Sequence, residues 1–218
     1  MTLFGPLHLA LLAGIALAGL VLVLLCRRVE PARRHVRLLL GIGLALNELL
    51  WWRFRYSHEG VHLWNLPLQL CDVTLWMTSL ACITLAPALV EFAYFAGFAG
   101  AAMALLTPDL WERWPSYPAI YFFVAHGGIV VGIAVLVAGR VAPLRRGAVW
   151  RAFGMLLAYA AVVGAFNAIT RANYMYLCRK PANPSLLDML GPWPVYLLGG
   201  AAAGLALFWL LWLPVRPR

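Results

Sequence analysis

Long runs of apolar residues constrain the fold of this chain more than any other feature of its sequence. A helix of about 20 apolar residues spans the hydrocarbon core of a bilayer, and several runs of that length follow one another here. Because 64% of the residues are hydrophobic and 11% are charged, the composition is typical of a multi-pass membrane protein and excludes a soluble domain. No basic region precedes the first run, residues 9–25, so we interpret it as a span and not as a signal peptide.

The apolar runs and the helix breakers between them predict an all-α bundle of about seven transmembrane helices that forms one domain, residues 1–218. The connectors carry charges and helix-breaking residues, as expected of segments in water. Boundaries read from such patterns are accurate to about three residues. The predicted helices cover roughly residues 7–26, 36–55, 67–85, 90–106, 118–138, 149–169 and 193–213.

The 17 lysines and arginines are distributed unevenly over the two ends of this predicted bundle. The end that would hold the C-terminus carries 11 of them and the end that would hold the N-terminus carries 6. The positive-inside rule therefore predicts an outer N-terminus and an inner C-terminus. The net charge of +9 follows from this topology, so no nucleic-acid partner is expected.

Polar residues gather in the predicted outer halves of the helices, whereas the inner halves hold little beyond flanking arginines. Polar groups inside a membrane mark sites or pathways, although asparagine and aspartate also join membrane helices by hydrogen bonds. The predicted cluster draws on at least five helices. It contains Asn47, Glu48, Cys71, Asp72, Thr107, Asp109, His126 and Asn167.

A thiol stands beside a carboxylate near the predicted start of the third helix. Pro67 suits a first helical turn, which would place Cys71 about one turn inside the helix, near its positive end. A thiol in that position is a candidate nucleophile, because the helix dipole favours the thiolate. Two alternatives stay open: Cys71 is a small apolar core residue, or it forms a disulfide with Cys178 on the same predicted side of the membrane.

His126 follows an aromatic apolar run and precedes two glycines, Gly127 and Gly128, which could let another helix approach closely or simply pack. A lone membrane histidine is commonly a hydrogen-bonded core residue, but the predicted depth of His126 lies within about one helical turn of that of Cys71. If the two side chains meet, His126 can take the thiol proton and later activate an acyl acceptor. The candidates for orienting the imidazole or holding an oxyanion are Asp72, Gln69, Asn47, Asp109 and Asn167.

Residues His58 to His62 match the H-E-x-x-H pattern of zinc proteases, in which two histidines one helical turn apart bind the metal. We predict that these residues occupy a polar connector around Gly60, where a ligand helix is not expected. The sequence therefore predicts no metal and no cofactor. A membrane zinc protease is the weakest of the functional alternatives.

The longest predicted outer connector, residues 173–194, combines aromatic residues, prolines and basic residues. It either caps the polar cluster and holds a lipid phosphate, or serves as an ordinary interfacial connector. The candidates to hold the phosphate are Arg171, Arg179 and Lys180. The residues assigned to substrate binding are Glu48, Asn173, Tyr174, Arg179, Lys180 and Asp188.

Five stretches considered together carry a resemblance that covers nearly the whole chain: NLPLQLCD at 65–72, ALLTPDL at 104–110, IYFFVAHG at 120–127, NY at 173–174 and LDMLGPWP at 187–194. With them the chain resembles the YwaF-like bacterial integral membrane proteins, which are similar to the eukaryotic transmembrane protein 164 family. More distantly it is similar to the androgen-induced and androgen-dependent hydrolases of fatty acid esters. The resemblance implies a location in a bacterial cytoplasmic membrane.

The resemblance also implies an intramembrane acyltransferase, or a lipid acyl hydrolase, that works through a cysteine acyl-enzyme. Cys71 then corresponds to the nucleophile and His126 to its partner, and membrane phospholipid or lysophospholipid is the substrate. The alternative from a different class is a small transporter or channel with a polar path through Glu48, Asp72 and Asp109. The nearly apolar inner halves of the helices and the lack of an internal repeat argue against that alternative.

Overall fold

The computed structural model describes residues 2–110, 112–181 and 185–216, and in these ranges the chain is helical without strands. Every predicted helix is present, and consecutive helices run in alternating directions. Two short 3₁₀ turns, Tyr174–Tyr176 and Leu186–Leu190, lie in the last connector. The helices are α1 (Pro6–Arg28), α2 (Glu30–Glu59), α3 (Leu70–Thr84), α4 (Pro87–Leu106, with a π-helical turn at Ala93–Gly97), α5 (Tyr117–Val137), α6 (Ala148–Thr170) and α7 (Val195–Trp212).

Five helices, α1, α4, α5, α6 and α7, are long and apolar enough to cross a membrane. Helix α2 has 30 residues but carries charged residues in its first and last turns, and α3 is an apolar helix of only 15 residues. The chain is therefore a multi-pass membrane protein, in which α2 and α3 pack against the candidate spans.

Helix α5 lies at the centre of the bundle and packs against α1, α2, α3 and α4. Its paired glycines permit this close packing. A Cβ atom added at Gly127 would lie 2.9 Å from Ile15 Cδ1, and one added at Gly128 would lie 2.7 Å from Leu44 Cδ2. Small residues let membrane helices approach closely, so these two glycines set the distance of α5 from α1 and α2.

Helix α3 begins at Leu70, later than the predicted start at Pro67. Gln69 has an extended backbone (φ −69°, ψ 155°), and its N–H donates to the Asp72 carboxylate at 3.0 Å. This hydrogen bond caps the N-terminus of α3, which begins three residues after Pro67. Cys71 is consequently the second residue of α3, closer to the positive end of the helix than predicted.

The prediction of a connector around the H-E-x-x-H pattern is wrong for His58 and Glu59, because α2 extends to Glu59, whereas Gly60 to His62 lie in the connector as predicted. Gly60 then ends the helix with a φ of 73°, so His58 and His62 do not share one helical face as zinc ligands of this pattern must. His58 Nδ1 bonds to the Phe54 carbonyl at 2.8 Å, and His62 Nε2 bonds to the Glu59 carbonyl at 2.9 Å. Within the described ranges, no three His, Cys, Asp or Glu side chains come together as metal ligands.

A buried ion pair lies at the end of the bundle opposite the start of α1. The Glu91 carboxylate, with 1% of its side chain exposed, accepts two hydrogen bonds from Arg145 at 2.8 and 3.1 Å. It accepts two more from Arg151, both at 2.8 Å. Doubly bonded guanidinium–carboxylate pairs are among the strongest hydrogen bonds in proteins, so they fasten the start of α4 to α6 and to the connector before it.

Candidate functional site

A cavity of about 850 Å³ lies near the end of the bundle at which α1, α3, α5 and α7 begin. Its wall is built from α2, α3, α4, α5, the segment after α4 and the 3₁₀ turn Tyr174–Tyr176. Apolar lining residues such as Leu75 and Ile129 lie about one helical turn further along their helices than Cys71 and His126. The polar side chains on the wall are Arg55, Gln69, Cys71, Asp72, Thr74, Asp109, Tyr121, His126 and Tyr176.

Cys71 presents a free, exposed thiol to this cavity. Its S–H points to Asp72 Oδ1, with the two atoms 3.9 Å apart, while the second carboxylate oxygen of Asp72 accepts the Gln69 N–H. Asp72 thus joins the start of α3 to the thiol. Cys178 is also a free thiol, so the structure contains no Cys71–Cys178 disulfide, and the location of Cys71 differs from that of the buried cysteines Cys26 and Cys82.

His126 enters the cavity from α5, with 8% of the residue exposed. Its Nδ1 lies 2.8 Å from the Phe122 carbonyl oxygen, one helical turn earlier. A carbonyl oxygen accepts only, so we assign the proton of the neutral ring to Nδ1, which leaves a lone pair on Nε2. Among the described residues, Nε2 has no hydrogen-bond partner.

The thiol of Cys71 and the imidazole of His126 therefore face one cavity from two different helices, α3 and α5. No hydrogen bond joins them directly. A thiol and an imidazole thus lie on the wall of one cavity, which also has apolar lining residues such as Leu75 and Ile129.

Gln69 and Asp109, two of the five candidates for a supporting role, also line the cavity. The Gln69 side-chain oxygen accepts the Met175 N–H at 3.0 Å, so its amide NH₂ is the end left for a substrate oxygen. Asp109 lies just beyond the end of α4 and is exposed. With Asp72, three of the predicted supporting residues are thus in the same cavity as Cys71 and His126.

The other two candidates, Asn47 and Asn167, do not line the cavity. Asn167 is buried and its amide bonds to both backbone groups of Tyr174, at 2.9 and 3.0 Å. Its role is to hold the last connector against α6. Asn47 is half-buried in α2, and its Nδ2 has no partner among the described residues.

Glu48, predicted to bind substrate, lies behind the cavity wall and is fully buried. Its carboxylate accepts the Trp52 Nε1–H at 2.7 Å and the Tyr121 hydroxyl. Tyr121 itself lines the cavity and stacks on Trp51, with the ring centroids 4.3 Å apart. Glu48 therefore acts on the cavity by fixing the position of Tyr121.

The predicted substrate-binding residues of the last connector use their polar groups within the protein. The Asn173 side chain bonds to the backbone of Cys178 and Arg179. The Tyr174 hydroxyl donates to the Leu63 carbonyl at 2.9 Å and accepts the Leu66 N–H at 2.6 Å. Arg179 is exposed and lies off the cavity wall.

Two more of these residues, Lys180 and Asp188, form an ion pair 3.5 Å long. The Ser185 N–H, which donates to the Asp188 carboxylate, and the nearby Lys180 ammonium hold the pKa of Asp188 below its usual value. These contacts order the connector, and neither residue lines the cavity.

Several residues that line the cavity were not among the predicted site residues, including Arg55, Thr74, Tyr121, Met175 and Tyr176. Met175 and Tyr176 have φ values of 55° and 53°, a left-handed conformation that no sequence pattern indicated. Arg55 could have been found, because Glu48, Trp51 and Arg55 have helical spacing and lie on one face of α2. In the sequence, Arg55 counts only as one of the positive charges that orient the bundle.

Comparison with protein-family models matches residues 3–212 to the family described as the TMEM164 family. No curated protein and no solved structure matches the chain.

Proposed function

The chain belongs to the TMEM164 family, and from this premise we propose that it is an intramembrane enzyme that transfers acyl groups from phospholipid esters. Cys71 is the nucleophile and His126 the general base and acid. The observation that carries the proposal is that one cavity presents a free thiol and an imidazole with an unshared Nε2. This combination is what acyl transfer through a thioester requires.

In the first half-reaction the Cys71 sulfur attacks the ester carbonyl carbon and the thiol proton passes to His126 Nε2. The tetrahedral intermediate then releases the lipid alcohol, a lysophospholipid, which takes that proton from His126. The thioester stays on Cys71. Because a thiolate next to the Asp72 carboxylate is unfavourable, the proton leaves the sulfur as the carbon–sulfur bond forms and not beforehand.

In the second half-reaction an acceptor hydroxyl attacks the thioester while His126 Nε2 removes its proton. Collapse of the intermediate restores the thiol, with the proton returned through His126, and releases the new ester. A lysophospholipid as acceptor makes the enzyme a transacylase, and water makes it a lipid hydrolase. Both reactions use the same residues in the same roles.

The negative oxygen of each intermediate needs hydrogen-bond donors that are already in place. The N–H of Cys71 belongs to the first turn of α3, where backbone N–H groups have no helical acceptors. The Gln69 amide NH₂ is a second donor, since its carbonyl end is fixed by Met175. Both donors are next to the attacking sulfur along the chain.

The depth of the cavity residues supports a lipid substrate. Leu75 and Ile129, each 1% exposed, lie one turn deeper in the bundle than Cys71 and His126 and offer an apolar surface to an acyl chain. The thiol near the start of α3 lies at the level of a lipid ester. With the N-terminus outside, the reaction takes place in the outer leaflet.

The transporter alternative has less support. Below the cavity, the described core around Leu75 and Ile129 carries no charge, and the hydroxyls of the buried Thr78 and Ser79 donate to the carbonyl oxygens of Thr74 and Gly41. The charged cluster at the far end is the closed Glu91 ion pair. The described residues therefore form no continuous path of charged side chains between the two ends.

Intact mass spectrometry of the purified protein after incubation with phospholipid tests the proposal. We expect one added acyl mass on the wild type, none on Cys71→Ala, and slower addition on His126→Ala. Cys178→Ala is the matched control, because it removes an exposed thiol outside the cavity. An acyl adduct that persists in Cys71→Ala, or that depends on Cys178, contradicts the mechanism.

A further inference from the structure

We propose that Arg55 binds the phosphate of the lipid substrate within the cavity, an inference that rests on the proposed function. Arg55 is the one lysine or arginine on the cavity wall in the described part of the chain. Its side chain is 24% exposed, and it lies one turn before the end of α2. A guanidinium at that depth meets lipid headgroups, whereas the deeper wall meets acyl chains.

The hydrogen bonds of Arg55 leave its two terminal nitrogens available. Nε donates to Glu59 Oε2 at 3.1 Å, and among the described residues neither Nη group has an acceptor. Glu59 thus holds the guanidinium in place without occupying the edge that binds phosphate. An arginine that is already oriented loses little conformational freedom when it binds, and its fork matches two phosphate oxygens.

The other cationic side chains near this end of the bundle are less suited to the role. Arg179 lies off the cavity wall, and Lys180 pairs with Asp188 at 3.5 Å. Arg53, two residues before Arg55, belongs to a separate surface groove beside Tyr117. A phospholipid whose ester carbonyl is at Cys71 brings its phosphate into the same cavity, where Arg55 is the cation that it meets.

Arg55 also has a purely structural interpretation, as one half of an exposed i, i+4 pair with Glu59. Pairs of this kind contribute little to stability. The two interpretations differ for Glu59→Gln, which breaks the pair but keeps the guanidinium. If Arg55 binds phosphate, Glu59→Gln, which keeps an amide oxygen to accept the Nε–H, lowers the rate much less than Arg55→Gln, which removes the phosphate-binding group itself. If the pair is structural, both variants behave alike.

The experiment compares two acyl donors with identical chains, phosphatidylcholine and diacylglycerol, because only the first carries a phosphate. The rate of thioester formation on Cys71 is followed by intact mass spectrometry. We expect Arg55→Gln to lower the rate with phosphatidylcholine by about 10- to 100-fold, the loss of one or two charged hydrogen bonds. The rate with diacylglycerol should stay within about twofold. Arg53→Gln, which removes the same charge from the same helix, should leave both rates unchanged.

The assignment would be overturned if Arg55→Gln lowered the rate of thioester formation equally with both donors, or with neither. It would also be overturned if Glu59→Gln lowered the rate as much as Arg55→Gln does. A wild type that forms no thioester with any donor would refute the proposed function instead. In that event native mass spectrometry decides the role of Arg55: retained phosphatidylcholine should decrease in Arg55→Gln and retained diacylglycerol should not. If retention is equal and inorganic phosphate binds in an Arg55-dependent manner, the ligand is a free anion and the lipid assignment is wrong.

Discussion

His126 Nδ1 lies 2.8 Å from the carbonyl oxygen of Phe122, so the backbone of α5 fixes which nitrogen of the imidazole carries the proton. The unshared Nε2 is then the base in the proposed reaction. We expect His126→Gln to slow thioester formation by about 10²- to 10⁴-fold, the usual contribution of general acid–base catalysis. Single-turnover rates measured by quenched mass spectrometry test this, with the thermal unfolding temperature as the control for folding. A variant that retains the wild-type rate would exclude His126 as the base.

Asp72→Asn should make the Cys71 thiol more reactive towards a small neutral alkylating agent. The substitution removes a negative charge 3.9 Å from the sulfur, while the asparagine oxygen can still accept the Gln69 N–H that closes α3. We expect alkylation at a fixed pH to be several-fold faster than in the wild type, because repulsion of the developing thiolate is reduced. Cys178 provides an internal reference thiol in the same sample. Slower alkylation would show that Asp72 serves instead as the base for the thiol.

Glu91→Gln should destabilise the protein, because it removes the shared partner of Arg145 and Arg151. The two arginines left behind are 49% and 41% exposed and regain water, so the expected loss is about 1–3 kcal/mol, that of the charged hydrogen bonds. Glu30→Gln is the matched control, since its pair with Arg33 is 3.9 Å long and exposed and is worth at most about 1 kcal/mol. Thermal unfolding in detergent compares the two variants, and similar unfolding temperatures would show that the Glu91 cluster is not a structural fastening.

Gly128→Ala should destabilise the central packing of α5. The new Cβ would lie 2.7 Å from Leu44 Cδ2, and overpacking of this kind costs about 1–3 kcal/mol. Gly43→Ala, on the α2 helix that carries Leu44, meets nothing within 4 Å and should be neutral or slightly stabilising, because alanine favours the helix. The thermal unfolding temperatures of the two variants separate the effect of overpacking from the effect of helix propensity. Equal effects would mean that Leu44 moves aside without cost.

The connector before α7 should loosen in acid. Because the pKa of Asp188 is lowered in the folded protein by the Ser185 N–H and by Lys180, its ionised form stabilises the fold above the unfolded-state value of about 3.9. That contribution is lost as the pH falls through the lower, folded value. The protection factor of the Ser185 amide, which is its exchange rate corrected for the pH dependence of intrinsic exchange, should therefore fall below about pH 4 in the wild type. In Asp188→Asn the protection factor should depend less on pH, and an unchanged acid response would contradict this account.

The helices were predictable because the backbone N–H and C=O groups of each apolar run must find hydrogen-bond partners within the run when it lies in a bilayer. Alternating helix directions also placed Cys71, Asp72, Asp109 and His126 at one end, and these four side chains line one cavity. The ends of α2 were not predictable from hydropathy, because charged residues there continue a helix beyond its apolar part.

The role of each polar residue was harder to predict, because it depends on where the side chain points as well as on the depth of the residue in the bundle. Glu48 and Asn167 lie at suitable depths but point to Tyr121 and Tyr174, contacts that only the packed structure reveals. Arg55 shares a helical face with Glu48, yet a count of charges treats it like any flanking arginine. Sequence alone therefore located the site more reliably than it assigned the residues of its wall.

The ion pair at Glu91 also constrains the order in which the protein can be made. Its partners follow 54 and 60 residues later in the chain, so the carboxylate enters the membrane before either guanidinium has been synthesised. At about 5–20 residues per second, the nascent chain carries an uncompensated charge at the start of α4 for roughly 3–12 seconds. Helix α4 can form this ion pair only after α5 and the following arginines have been synthesised, so the packing of the first half of the protein depends on the second half during biosynthesis.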